Sequence, residues 1–301
     1  MFHQVIMNLS GIYCPVVTLF VDGVVADKKL AENLNKWAAS GLQGYVVLGS
    51  TGESVYLTQE EKLAIIKTAQ ACVSRDRQLI VGTGCESTAA TVAFTQKAAS
   101  LGAEAALVVT PHYFKAQMQG AALLKHYQTV ASESEIPIIL YNVPKFTGID
   151  LPTGVVRELA VHPNIIGIKD STDRISKITE LIRFSSVDFK VLIGNYNMLL
   201  PGLFMGAAGA VLALANLAPR QCVEIFNGVL HKEYEPARQC FVKLTAVART
   251  VLSTYGIAGI KTALDLLGYF GGAPRPPLLS LAPDEQEIVR RILAETGLIQ
   301  I

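Results

Sequence analysis

Ile136-Pro-Ile-Ile-Leu-Tyr-Asn142 and Ile165-Ile-Gly-Ile-Lys-Asp170 are the stretches that decide the fold. Each is apolar nearly throughout, without the alternation of a half-buried strand, and each ends in residues that carry chemistry. A strand apolar on both sides is covered on both sides, as in a parallel sheet layered by helices. The same kind of run recurs at 12–20, 44–49, 79–84 and 105–111, and again at 189–195 and 209–214. Between them lie amphipathic segments: Asp27–Ser40, Thr58–Ser74, Ser87–Leu101, Gln119–Ser134 and Asp173–Phe184. Thr58-Gln-Glu-Glu61 has the spacing of a capping box at a helix start. Eight strands alternating with helices predict an α/β protein, a (β/α)8 TIM barrel. A doubly wound open sheet is the main rival and usually needs fewer strands. Past about His231 the strand signal stops, and helices are predicted over Glu235–Thr254, Ile257–Leu267 and Pro283–Glu295, with a turn at Gly271–Pro277. The expected organisation is a barrel over 1–230 that carries the active site and a C-terminal helical subdomain over 231–301. No chemical motif stands out in that tail.

Of the 301 residues 50% are hydrophobic and 17% charged, which excludes a disordered chain. The 26 Lys and Arg nearly cancel the 25 Asp and Glu, and no block of like charge occurs, which speaks against nucleic-acid and anionic-membrane partners. Five cysteines are odd in number and never spaced as C-x-x-C, and the five histidines are equally scattered. That pattern predicts free thiols, a reducing compartment and no metal. Met1–Ser10 has no basic segment followed by an apolar run, so a cytoplasmic protein without a targeting peptide is expected. Val191–Pro219 is uncharged and long enough to span a bilayer. Asn195, Asn197, Pro201, Asn216 and several glycines interrupt it, and a strand, a small-residue helix and a second strand are predicted instead.

Active sites of such barrels lie at the carboxyl ends of the strands. Lys169 ends one of them, where burial disfavours the ammonium form and a neutral amine can capture a ketone as a Schiff base. A lysine there can equally pair with Asp170 or snorkel to water. Tyr141 ends the neighbouring strand, and a phenol there can pass protons as general acid and base or simply pack with its hydroxyl at the rim. Gly49-Ser-Thr-Gly-Glu53 joins a strand to the capped helix; consecutive N–H groups in such a turn can cradle a carboxylate, although many strand-to-helix turns are rich in Gly and Ser. Tyr113, between His112 and Phe114, suggests a subunit contact or a lid. Gly206-Ala-Ala-Gly209 sits where barrels often bind phosphate, but close packing explains its small residues as well.

Gly49-Ser-Thr-Gly-Glu53, Tyr141-Asn-Val-Pro144 and Gly167-Ile-Lys-Asp170 occur in this order at the ends of the second, fifth and sixth predicted strands. In that combination the chain, from about Gly11 to its end, resembles the dihydrodipicolinate synthase and N-acetylneuraminate lyase family of class I, pyruvate-dependent aldolases. The resemblance implies that Lys169 forms the Schiff base and that Tyr141 moves protons for the intermediate. It implies a hydroxyl relay through Ser50 to Tyr113, which in this family reaches over from a neighbouring subunit. Thr51, with Gly49, falls where the family binds the pyruvate carboxylate, and Val211 on the last strand joins the expected substrate contacts. A homo-oligomer, dimer or tetramer, follows, and no cofactor is needed because the covalent Schiff base is the electron sink.

Departures from the family pattern select the branch. The synthases place an Arg two residues after the Pro of Tyr-Asn-Val-Pro to hold the carboxylate of aspartate semialdehyde; here that position is Phe146, which cannot replace a bidentate carboxylate partner. Gln59, Lys62, Glu86 and His112 occupy positions that bind feedback lysine in some synthases, and no lysine inhibition is expected. Gly82-Thr-Gly-Cys-Glu-Ser-Thr88, Thr147-Gly-Ile-Asp-Leu-Pro152 and Lys169-Asp-Ser171 look more like the 4-hydroxy-2-oxoglutarate aldolase branch, with Ser171 in reach of the aldol hydroxyl. The predicted reaction is therefore cleavage or formation of a 4-hydroxy-2-oxo acid, 4-hydroxy-2-oxoglutarate giving pyruvate and glyoxylate. The alternatives are dihydrodipicolinate synthase, a sugar-acid aldolase or dehydratase, N-acetylneuraminate lyase, or, outside enzymes, a 2-oxo acid sensor or scaffold.

Overall fold

A computed structural model describes residues 7–300; most of Met1–Ser10, the segment expected to hold no targeting peptide, lies outside the described residues. The eight apolar runs are strands: β1 Gly11–Pro15, β2 Gly44–Val47, β3 Gln78–Gly82, β4 Ala105–Val109, β5 Ile138–Asn142, β6 Ile165–Asp170, β7 Lys190–Ile193 and β8 Gly209–Val211. They form one closed barrel in which sequence order is spatial order, with helices between the strands. Val191–Pro219 resolves into β7, the helix Leu199–Met205, β8 and the start of the helix Pro219–Leu230. Among the described residues no helix is long and apolar enough to cross a membrane.

By internal packing the described residues make two compact units, one of Ile80–Ala210 with 7–11, the other of Ile12–Leu79 with 211–300. In the first, alternate residues of the strands face the helices. Ala106, Val108, Ile138, Leu140 and Ile168 pack with Leu123, Tyr127, Val130 and Leu159 in one core. Because a strand reverses side with each residue, the neighbours of Leu140 and Ile168, which are Tyr141 and Lys169, point to the barrel interior. Register strengthens this, since Tyr141 lies directly opposite Lys169 and Asn142 opposite Asp170.

In the second unit the predicted capping box is present: the Glu61 N–H donates to Thr58 Oγ1 and the Thr58 N–H to Glu61 Oε2. The run 12–20 is shorter than predicted, because its end turns into a hairpin, Phe20–Val21 against Val24–Val25. Asp22 and Gly23 both have positive φ, as the favoured two-residue hairpin turns require. The C-terminal helices are present at Tyr234–Val247, Gly256–Leu266 and Pro283–Glu295. Where one helix was expected to run to Thr254, Ala248–Thr254 widens into a π-helix. Hydroxyls of Ser253 and Thr254 donate to the carbonyls of Ala248 and Arg249, five residues back, a side-chain competition with the regular ladder.

Candidate active site

β5 and β6 carry the reactive pair. Lys169 is 4% exposed and Tyr141 5%, and Lys169 Nζ lies 4.2 Å from the Tyr141 ring centroid. The alternative pairing of Lys169 with Asp170 is not what the structure holds. Asp170, fully buried, accepts from Asn142 Nδ2 at 2.8 Å, from the Thr172 N–H at 2.9 Å and from the Thr172 hydroxyl. Its ammonium neighbour is Lys177 Nζ, at 3.9 Å. Asn142 ties the next loop into the same net by donating to Asp150 and accepting from the Leu151 N–H, both at 2.9 Å. Asp150 in turn binds Lys177 and Arg174. Burial alone pushes the Asp150 carboxyl up, but hydrogen bonds from Lys177, Asn142 and Arg174 outweigh it and hold the group below the ordinary aspartate value.

Ser171 donates its N–H to Asn142 O at 2.9 Å. Its side chain converges with Lys169 on Gly194 at the end of β7. A methyl group on Gly194 would stand 2.0 Å from Ser171 Oγ and 3.0 Å from Lys169 Cε. Gly194 is thus required by the site, and sequence reasoning passed over it because one glycine at a strand end looks like any other. Two predicted residues of this unit lie on the surface: Tyr113 is 77% and Phe146 62% exposed. Tyr113 meets Phe114 edge-on at 5.1 Å, and the Glu86 carboxylate holds their loop by accepting from the N–H groups of His112 and Tyr113 at 2.9 and 2.8 Å.

The other unit holds Gly49, Ser50, Thr51 and Val211. After β2 the chain forms a short 3-10 turn, Ser50–Gly52, closed by N–H bonds from Gly52 to Gly49 O and from Glu53 to Ser50 O. The first N–H groups of a helical turn take no part in its own bonds, and in this turn they belong to Ser50 and Thr51. Thr18 Oγ1 donates to Gly52 O at 2.6 Å. Val211 is buried at the end of β8. Glu53, at the end of the quoted motif, is 2% exposed and pairs with Lys261 Nζ at 2.6 Å. Lys261 lies in the helix Gly256–Leu266, in the tail where no chemical motif stands out in the sequence. The missed signal was one Lys on an otherwise apolar helix stretch, Ile257-Ala-Gly-Ile-Lys261. Burial pushes the Lys261 ammonium below the ordinary lysine pKa, and the Glu53 carboxylate opposes that shift. Among the described residues, no group of three or more His, Cys, Asp and Glu is placed to hold a metal ion.

The sequence profile of the dihydrodipicolinate synthetase family matches residues 8–296. The chain belongs to that family. Among curated members, the 4-hydroxy-tetrahydrodipicolinate synthase of Thermodesulfovibrio yellowstonii is 35% identical over 292 residues, covering 97% of this chain and 99% of the relative. That of Methanothrix thermoacetophila is 33% identical over 287 residues, covering 95% and 96%. Among solved structures, dihydrodipicolinate synthase from Aquifex aeolicus superposes with a TM-score of 0.91 at 31% identity, over 96% of this chain and 99% of that one. A prophage member of the family from E. coli K12, solved in complex with pyruvate, gives 0.91 at 29% identity, over 97% and 100%. Membership in the dihydrodipicolinate synthetase family makes the protein a carbon–carbon lyase on a TIM barrel, as the resemblance implied. Within the family, the names of these relatives favour the reaction ranked second from sequence, the synthase, over cleavage of 4-hydroxy-2-oxoglutarate.

Proposed function

We propose that the protein joins pyruvate to an aldehyde through a Schiff base on Lys169. The observation that carries this reading is the buried Lys169 amine facing the Tyr141 ring at 4.2 Å. The amine adds to the 2-oxo carbon, and the resulting carbinolamine loses water as Tyr141 passes the protons. The iminium then acidifies the methyl group; loss of a proton gives an enamine whose carbon attacks the aldehyde, and hydrolysis frees Lys169. Run backwards, the same steps cleave a 4-hydroxy-2-oxo acid to pyruvate. The imine supplies the electron sink, so the reading calls for no cofactor or metal. Ser50 serves in the proton relay, Thr51 and Gly49 hold the pyruvate carboxylate, Val211 lines the substrate side of its strand, and Ser171 meets the aldol hydroxyl. Tyr113 completes the relay of a second copy in a homodimer or tetramer, a role its 77% exposure and pinned loop support.

The family relatives support aspartate semialdehyde as the aldehyde, which is the synthase reaction. Phe146 in place of a carboxylate-binding Arg favours a second reading, the 4-hydroxy-2-oxoglutarate aldolase reaction with glyoxylate. Borohydride with pyruvate is expected to leave a reduced three-carbon adduct on Lys169, lost in Lys169→Ala; an unmodified wild-type enzyme refutes the proposal. The ratio of kcat/KM for aspartate semialdehyde to that for glyoxylate decides between the aldehydes.

A further inference from the structure

Two residues bracketing the turn after β2 take a backbone conformation that L side chains rarely adopt: Leu48 at φ +59° and Glu53 at φ +53°. Such residues are strained and persist only where their surroundings over-determine them. Both oxygens of the Glu53 carboxylate are engaged. Oε1 meets Lys261 Nζ at 2.6 Å, and Oε2 accepts from the Arg275 N–H at 2.8 Å. The Lys261 ammonium also donates to Ala273 O at 3.0 Å and lies 4.5 Å from the centroid of the Phe20 ring. Its backbone is closed in as well, since a methyl group on Gly271 would stand 1.9 Å from Lys261 O. The Arg275 guanidinium, 4.3 Å from the same Phe20 ring, is gripped by both oxygens of Glu61 at 2.6 and 2.7 Å and donates to Tyr56 O at 3.0 Å. The segment from Glu53 to the start of the following helix is therefore fastened at both ends by the C-terminal part of the chain.

A buried ion pair is a costly way to fill space, because apolar residues of similar volume are often at least as stabilising. What the pair adds is direction, since an ammonium fixes where a carboxylate points. We propose that Lys261 is a positioning residue: through Glu53 it holds the turn 49–53 in the conformation that receives a 2-oxo acid carboxylate on the N–H groups of Ser50 and Thr51. The inference rests on the role given to Thr51 above and extends it to the residue that sets the turn. Releasing Glu53 loosens the hold on the carboxylate and leaves the amine chemistry of Lys169 untouched.

The test is borohydride trapping on Lys169 as a function of concentration, with pyruvate and with hydroxyacetone, a ketone of similar size that lacks the carboxylate. Wild type, Lys261→Met and the double variant Glu53→Gln/Lys261→Met are compared. In both variants half-saturating pyruvate is expected to rise about tenfold or more, as for a small misplacement of a binding group, while half-saturating hydroxyacetone stays where it was. An unchanged value for pyruvate, or an equal rise for both ketones, overturns the inference. If Lys261→Met is recovered unfolded, the double variant, which leaves no lone buried charge, carries the same comparison. Wild type that fails to trap pyruvate refutes the function proposed above; wild type that traps it with variants unchanged refutes only the role of Lys261.

Discussion

Asp150 is shared by Arg174 and Lys177 at a place where water reaches 37% of the carboxylate side chain and 52% of the Arg174 side chain, whereas Glu53 and Lys261 meet with 1% and 0% exposed. Each carboxylate steadies a segment that follows a barrel strand, Asp150 the loop after β5 and Glu53 the turn after β2. For Arg174, at the rim, water replaces a lost partner and the bridge is worth little. In the sealed pair, removing one partner strands the other without water, and the cost is large.

The largest effect that would break this contrast is on Lys261→Met, expected to cost about 3–5 kcal/mol in urea unfolding; a loss below about 1 kcal/mol would place the sealed pair with ordinary surface bridges. Next is an acid effect that arises from His126, in the unit of Ile80–Ala210. Burial lowers the pKa of His126 from the ordinary 6.5 to about 4. A histidine whose folded value is depressed gives full stability above pH 6.5 and loses it as pH falls towards 4, because the unfolded state takes up the proton first. The drop should reach roughly 3 kcal/mol at full protonation, and His126→Gln should flatten the stability-against-pH curve over that window; an identical slope in the variant would exclude His126 as its source. Smallest are substitutions around Asp150. Lys177, 6% exposed and donating to Leu151 O at 2.7 Å, should cost about 1.5–3 kcal/mol as Lys177→Met, and Arg174→Ala less than about 1 kcal/mol. Equal losses from Lys177→Met and Arg174→Ala would mean that burial does not set the strength of a bridge to Asp150.

Much of the barrel was legible in the sequence, because strands covered on both sides must be apolar on both sides and therefore stand out as continuous runs. The hairpin at 20–25 and the π-helix at 248–254 were not: the first hides inside an apolar run interrupted only by Asp22-Gly23, and the second depends on two hydroxyls reaching back five residues. Lys169 and Tyr141 were legible because each closes an apolar run with a reactive group. Arg275 was not, because nothing local marks a charge whose partner lies at the other end of the chain, and Lys261 showed only as a lone charge on an apolar stretch, without its partner. Gly194 was illegible for a related reason, since its lack of a side chain matters only once Ser171 and Lys169 stand beside it.

By itself the sequence determined the order of strands and helices, the family, and which side chains could react. Those features follow from covalent identity and from the period of apolar residues, both local. Tertiary structure alone decided which charges lose water and which keep it. Solvation is set by whatever covers a residue, and here the cover over Glu53 comes from the helix Gly256–Leu266 and the segment around Arg275.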